Sequence, residues 1–397
     1  RYMLPSRRYF SDTMLPQVYD SVKALVEKEL VGPNGKYISF TSDIWTCSKS
    51  KETFISLSGH WVKLDFNRVD AVLHATHFPG SHTGANIADM FCKMWESWGI
   101  TKSRRQLLVR DGAANMCVGG ELAEIDSIHC TVHRLQLVIE DAILSQRAII
   151  DLLAKCRRLA THFNHSAIAC NELKILQEEQ GKTPLLPVQD VPTRWNSAYL
   201  MVERMVELKR SIQLYVSDHN GLPSISANEW KLSERFLHIL KPFFDLTKEM
   251  SAEYSILSTV IPNIATLELF LSKVGQGDQG VQTTRESLLQ SLRMRFFSTT
   301  EGPNLLNIMK NKHYVAATTI DPRYKNHFFK ETQDKEKAKA LLLELVVELH
   351  GEQTARLEDP STVAEAPCQS GSSAKKAKPD DLFRACFDEI TSQHESE

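Results

Sequence analysis

The sequence predicts a mixed α/β sheet domain followed by a large all-helical one, and three observations carry that expectation. Apolar residues recur at strand spacing between residues 37 and 78, with helical spacing on either side. Those strand-like stretches are followed by a helix, a strand, a helix and a strand, an order that suits a mixed sheet with helices packed on it. From Thr131 onward helical spacing dominates, and Pro184, Pro187, Pro192, Pro223 and Pro303 fall between the periodic segments, where helix breakers belong. A chain of 397 residues also suits two cores better than one.

Taken in order, residues 12–30 read as a helix through Val18, Val22, Leu25, Val26 and Leu30, ending at the turn cluster Gly32-Pro33-Asn34-Gly35. Residues 37–45, 54–64 and 69–78 are rich in Val, Ile, Phe, Thr and Trp and read as three successive strands in a meander. Residues 80–84 interrupt the pattern, and 85–98 resume it as a helix through Ile87, Met90, Phe91 and Trp95. Residues 106–109 form a short buried strand, 113–122 a short helix and 127–129 a fifth strand. Helices are then expected at 131–148, 149–163, 167–180, 198–216, 227–250, 257–274, 284–297 and 334–349. The run from Glu358 to Asp380 is rich in Ser, Ala, Pro, Lys and Glu and reads as a disordered linker, and 382–390 begins another amphipathic element. The expected organisation is an N-terminal helical segment (1–36), a sheet domain (37–145), a helical domain (146–352), a linker (353–380) and a truncated C-terminal element (381–397).

Composition narrows the function classes. A formal net charge of −2 and a pI near 6.8 give no global basic signature, so any contact with nucleic acid must come from local patches. Arg7-Arg8, Lys102 to Arg105, Arg157-Arg158 and Lys375-Lys376-Ala-Lys378 are such patches, the last with the look of a nuclear-import signal; each also fits a solvated face. No apolar run approaches the roughly 20 residues that span a bilayer, and the opening Arg-Tyr-Met-Leu-Pro-Ser-Arg-Arg is no signal peptide, so a soluble intracellular protein is expected. Eight cysteines without a CxxC pair point to free thiols in a reducing compartment. The missing initiator Met suggests a piece of a longer protein. Nucleotide hydrolysis and serine-nucleophile chemistry find no support, for there is no phosphate-binding Gly loop and no GxSxG.

Two acids stand out. Asp43 follows Tyr37-Ile-Ser-Phe-Thr-Ser, and Asp111 follows Gln106-Leu-Leu-Val-Arg, each at the end of a predicted strand. Each alone could cap a turn or a helix. Together, on the first and fourth strands of a strand–strand–strand–helix–strand–helix–strand series, they fit a ribonuclease-H-like arrangement in which paired carboxylates hold divalent metal against a phosphate. Cys130-Thr-Val-His133 could be half of a zinc site, although a closed site needs two further ligands and none is evident. Arg194 and Trp195, before a long helix, could staple the helix entry to the core, or could meet a phosphate and stack on a base.

Six blocks, in order, resemble the hAT transposase superfamily and within it the zinc finger BED domain (ZBED) proteins. They are Pro5-Ser6-Arg7, Thr41-Ser42-Asp43-Ile44-Trp45-Thr46, Val109-Arg110-Asp111-Gly112-Ala113-Ala114-Asn115-Met116, Cys130-Thr-Val-His133-Arg-Leu-Gln-Leu137, Pro192-Thr-Arg-Trp195-Asn-Ser197 and Ile320-Asp-Pro-Arg-Tyr-Lys325. The resemblance implies a ribonuclease-H-like catalytic domain interrupted by a helical insertion. It implies that Asp43 and Asp111 are the first two acids of a triad holding Mg2+ or Mn2+, that Cys130 and His133 lie beside that site, and that Trp195, next to Arg194, handles a flipped base on DNA. Arg110 and Gly112 depart from the small polar residue and the Asn common at those positions. No counterpart of the third acid, a Glu in a C-terminal dimerisation segment, precedes Glu397. Zinc is expected only in a BED finger outside this chain, and homo-oligomerisation through a C-terminal segment missing here. Two readings follow: a domesticated nuclear DNA-associated transcription regulator that keeps the nuclease fold as scaffold, or a metal-dependent cut-and-paste transposase whose third acid lies elsewhere.

Overall fold

In the computed structural model of the chain, residues 4–30, 37–273, 281–300, 305–354 and 382–392 are described. Chain packing divides it into two compact units, Arg1–His133 and Arg134–Glu397, ahead of the residue-146 boundary expected from the sequence. The predicted turn at 32–35, the linker beyond residue 354 and the Lys375 cluster lie outside the described residues.

The first unit opens with α1 (Arg7–Tyr9), a π-turn over Phe10–Met14 and α2 (Leu15–Leu30). Its sheet holds β1 (Ile38–Thr41), β2 (Ile44–Thr46), β3 (Thr53–Val62), β4 (Arg68–His77), β5 (Arg105–Arg110) and β6 (Ser127–His129), with α3 (Gly84–Ser97) and α4 (Ala114–Leu122) between the later strands. β3 pairs antiparallel with β1, β2 and β4, whereas β1–β5 and β5–β6 are parallel. Counting β1 and β2 as two halves of one strand, the order across the sheet is β4, β3, β1, β5, β6. This is the mixed ribonuclease-H-like topology that the order of predicted elements implies.

Alternation along β3 shows why the sheet is two-faced. Ile55, Leu57 and Trp61 are buried against α3, while Phe54, Ser56, Ser58 and His60 occupy the other face. The core between sheet and helix gathers Phe40, Ile87, Phe91, Met94 and Trp95, and Phe40 and Phe91 each lie 5.6 Å from the Trp95 ring. α3 starts at Thr83, whose hydroxyl accepts from the Asn86 N–H, and stops at Gly99, which takes the left-handed φ of 61° that lets the chain turn back.

One predicted element differs instructively. The sequence reads 37–45 as one strand; the structure interrupts it at Ser42-Asp43. There the Ser42 N–H turns to the Val109 carbonyl on β5, while the Asp43 backbone exchanges bonds with Ser56 on β3. The β-rich composition is continuous, so hydropathy cannot reveal a break made by a change of hydrogen-bond partner.

The second unit is all helix. After α5 (Thr131–Leu144), which begins in the first unit, come α6 (Arg147–His165), α7 (Ala167–Glu178), α8 (Trp195–Glu207), α9 (Lys209–Asp218) and α10 (Ala227–Met250). They are followed by α11 (Val260–Ser272), α12 (Gln282–Phe296), α13 (Lys312–Ile320), α14 (Thr332–Thr354) and α15 (Leu382–Ser392). α10 begins with a reciprocal Ser226–Glu229 capping box. α11 is buried along almost its whole length and forms the centre on which α12, α13 and α15 pack. Two buried arginines close helix C-termini: Arg285 donates to the Phe270 and Lys273 carbonyls at the end of α11, and Arg134 to the Arg295 carbonyl at the end of α12.

Candidate metal and nucleic-acid site

β1 and β5 run side by side in the same direction, with Thr41 opposite Val109. Asp43 and Asp111 each stand two residues beyond that pair, so both carboxylates arise at the same end of the sheet. Asp43 is exposed at the β1–β2 break, and one of its oxygens accepts from the Ile44 N–H. Asp111 is half-buried, and one of its oxygens accepts from the Ala113 N–H, a turn that sets the entry to α4.

Cys130 joins them from a third strand. Its N–H bonds the Arg110 carbonyl, which carries the β5–β6 pairing one residue past His129. Burial pushes the Cys130 thiol up; the Val132 and His133 backbone N–H groups at the start of α5 pull it down; and the negative charges of Asp43 and Asp111 push it up again. Those last two effects place the three residues in one neighbourhood. His133 is exposed on the first turn of α5.

Arg110 faces away from this neighbourhood, as strand alternation requires. It is buried, with Nε donating to Ser127 Oγ at 3.0 Å and a terminal nitrogen to the Asp111 carbonyl at 3.0 Å. The departure from the family pattern at this position thus braces the tip of β5 against β6. A side chain at Gly120 would meet Ser127 Oγ at 3.2 Å, so this glycine keeps the space in which that brace forms.

Arg194 and Trp195 belong to the helical unit. Arg194 is exposed at the N-cap of α8, and Ser197 secures the turn by donating to the Arg194 carbonyl. Trp195 is only 5% exposed, edge-on to Tyr199 and Phe244 at 6.4 Å each. In this conformation its ring packs against Tyr199 and Phe244 at the entry to α8 rather than standing open to solvent. The Ile320–Lys325 block is likewise structural: Asp321 accepts from Arg323 and from the Ser258 hydroxyl, tying the end of α13 to the segment before α11. Arg323 holds the Asp321 carboxyl far below the usual carboxylate range.

An all-oxygen pair such as Asp43 and Asp111 suits a hard divalent cation, Mg2+ or Mn2+, better than zinc. Among the described residues no group of three or more His, Cys, Asp or Glu side chains gathers at metal-holding distance. Aromatic residues beside the pair escape the reading of single motifs. Trp45 lies 5.6 Å from Phe54 with 20° between the rings, and Phe54 lies 5.7 Å from His77. Only the cross-strand register, Trp45 opposite Phe54 and Phe54 opposite His77, brings them into a row.

Comparison with known proteins agrees with this layout. The family description "ZBED1 RNase-like domain" matches residues 41–120, and "ZBED1 RNase-like helical domain" matches residues 128–239. The human "Zinc finger BED domain-containing protein 4" is 30% identical over 357 residues, 87% of this chain and 29% of that protein. "Putative transcriptional regulator tpeD" of Talaromyces stipitatus is 27% identical, covering 63% of this chain and 33% of its own length. "Putative AC transposase" of Zea mays is 26% identical, covering 63% and 32%. The chain spans about a third of the length of these relatives. With both halves of the fold matched in order, and with relatives named for BED fingers and for AC transposases, the chain belongs to the hAT/ZBED-like family of transposase-derived proteins.

Proposed function

We propose that this chain is the body of a nuclear, DNA-associated regulator of transcription that retains the transposase fold as a scaffold and keeps a two-carboxylate cation site in it. The observation that carries the proposal is the placement of Asp43 and Asp111 at one end of adjacent parallel strands, close enough for both charges to act on Cys130. Such a pair can hold Mg2+ or Mn2+ against a DNA phosphate without cleaving it. The buried setting of Trp195 supports a scaffold over a nuclease, since a ring packed edge-on in a helical core is poorly placed to take a flipped base. The Talaromyces relative, named as a regulator, is in keeping with this reading and with a nuclear location.

The second reading, a competent cut-and-paste transposase, rests on the survival of both acids at the strand ends. In it the residues of this chain would supply two of the metal ligands, and the metal would activate the attacking oxygen and stabilise the leaving one. The full-length protein, incubated with supercoiled plasmid and Mn2+, separates the two. The scaffold reading predicts retention of the plasmid in a gel-shift assay with no nicking. Nicking that disappears in Asp43→Ala would establish the transposase reading instead, and failure to bind DNA under any cation condition would contradict both.

A further inference from the structure

Trp195 is buried in the helical unit, and an accessible ring near Asp43 lies on the sheet itself. Trp45, two residues after Asp43, is 41% exposed. Its ring stacks nearly parallel on that of Phe54, and beyond Phe54 the exposed His77, tilted by 55°, continues the row to β4, the outer strand. These residues occupy the face of β3 opposite the one buried against α3, as the alternation Phe54-out, Ile55-in requires. Next to the row, the β2–β3 turn closes through the bonds Cys47 N–H to Glu52 O and Lys51 N–H to Cys47 O, and it presents Lys49 and Lys51 to solvent.

We propose that Trp45, Phe54 and His77 form a stacking platform for the unpaired bases of a single DNA strand, with Lys49 and Lys51 on its phosphates. Aromatic faces plus nearby cations are the two parts that single-strand binding needs: every base has a π-face to stack, and every phosphate a charge to meet. Charge complementarity selects this occupant over an apolar protein segment, which would have no use for two exposed lysines at the edge of the contact. Because the row begins two residues from Asp43, a strand stacked on Trp45 would bring its phosphates toward the carboxylate pair. The inference rests on the DNA-associated reading and adds to it the form of DNA and the residues that meet it.

The test is fluorescence anisotropy of a labelled oligo(dT) with the full-length protein in EDTA, with an unlabelled duplex of equal length as competitor. Trp45→Ala should weaken single-strand binding roughly 5- to 150-fold, the range for loss of one stacked base, and Trp45→Phe should restore most of it. Lys49→Ala with Lys51→Ala should flatten the log–log salt slope by about 1.4, since each single-strand phosphate contact contributes about 0.7. Circular dichroism melts identify variants that have lost their fold. The platform is overturned if folded Trp45→Ala binds oligo(dT) within twofold of wild type, or if Trp45→Phe is as weak as Trp45→Ala. Wild-type protein that binds neither single strand nor duplex would overturn the DNA-associated reading as well, so the two failures are distinguishable.

Discussion

Cys130 works as an internal probe of charge. Its thiol is raised first by burial and then by Asp43 and Asp111, against the pull of two backbone N–H groups at the start of α5. Cys47, in the β2–β3 turn, is shifted the other way, chiefly by a hydrogen bond from the Ser50 hydroxyl. Because the thiolate is the reactive form, the pH–rate profile for iodoacetamide should inflect above the usual thiol pKa of about 8.5 at Cys130 and below it at Cys47. A cation held by the two acids would offset their charge, lower the Cys130 thiol and speed its alkylation; peptide mapping after Mg2+ addition reads the change. A Cys130 rate indifferent to Mg2+ would count against a cation held there. At this scale the end of β5 before Asp111 is visible in hydropathy, whereas the break at Asp43, inside a continuous β-rich run, is not. The sequence is also illegible for Trp195, whose burial depends on Tyr199 and the distant Phe244.

Between elements, α3 and α4 cross closely in the sheet unit, with a glycine from each at the crossing. A Cβ on Gly119 would lie 2.5 Å from Ile87 Cγ2, and one on Gly84 would lie 2.5 Å from Val118 Cγ1. Gly119→Ala should therefore destabilise the protein by about 1–3 kcal/mol in urea unfolding, as overpacking does. Ile87→Ala alone should cost about 2–5 kcal/mol as a cavity at a fully buried site. In the double variant the added methyl faces the vacated space, so the two costs should sum to more than the measured total; simple additivity would argue against this crossing. Element order and most helix cores follow from periodicity, α10 over its whole length. Two features do not. Residues 198–216 read as one helix, yet the chain breaks at the buried Leu208 into α8 and α9 without Gly or Pro. α13, rich in β-branched residues, gives no helical signal and is held by Tyr314, Val315 and the Thr318 bond to the Ser258 carbonyl, where tertiary packing overrides propensity.

For the molecule as a whole, the sheet-then-helices architecture was legible because strand and helix impose different periods on the same residue types. The proposed site depends on long-range register instead: Asp43 and Asp111 stand at the same end of the sheet only because β1 and β5 are parallel neighbours, and Trp45 is linked to His77 only through β3. The family blocks mark these positions without saying which of them touch. The cation site proposed at the ends of β1 and β5 is open to direct measurement, as Mn2+ binding followed by electron paramagnetic resonance. Wild-type protein should bind Mn2+, and Asp43→Asn and Asp111→Asn should each weaken binding by roughly tenfold or more, as the loss of either ligand of a two-carboxylate site requires. Binding unchanged in both variants, or lost in one and untouched in the other, would contradict a shared site.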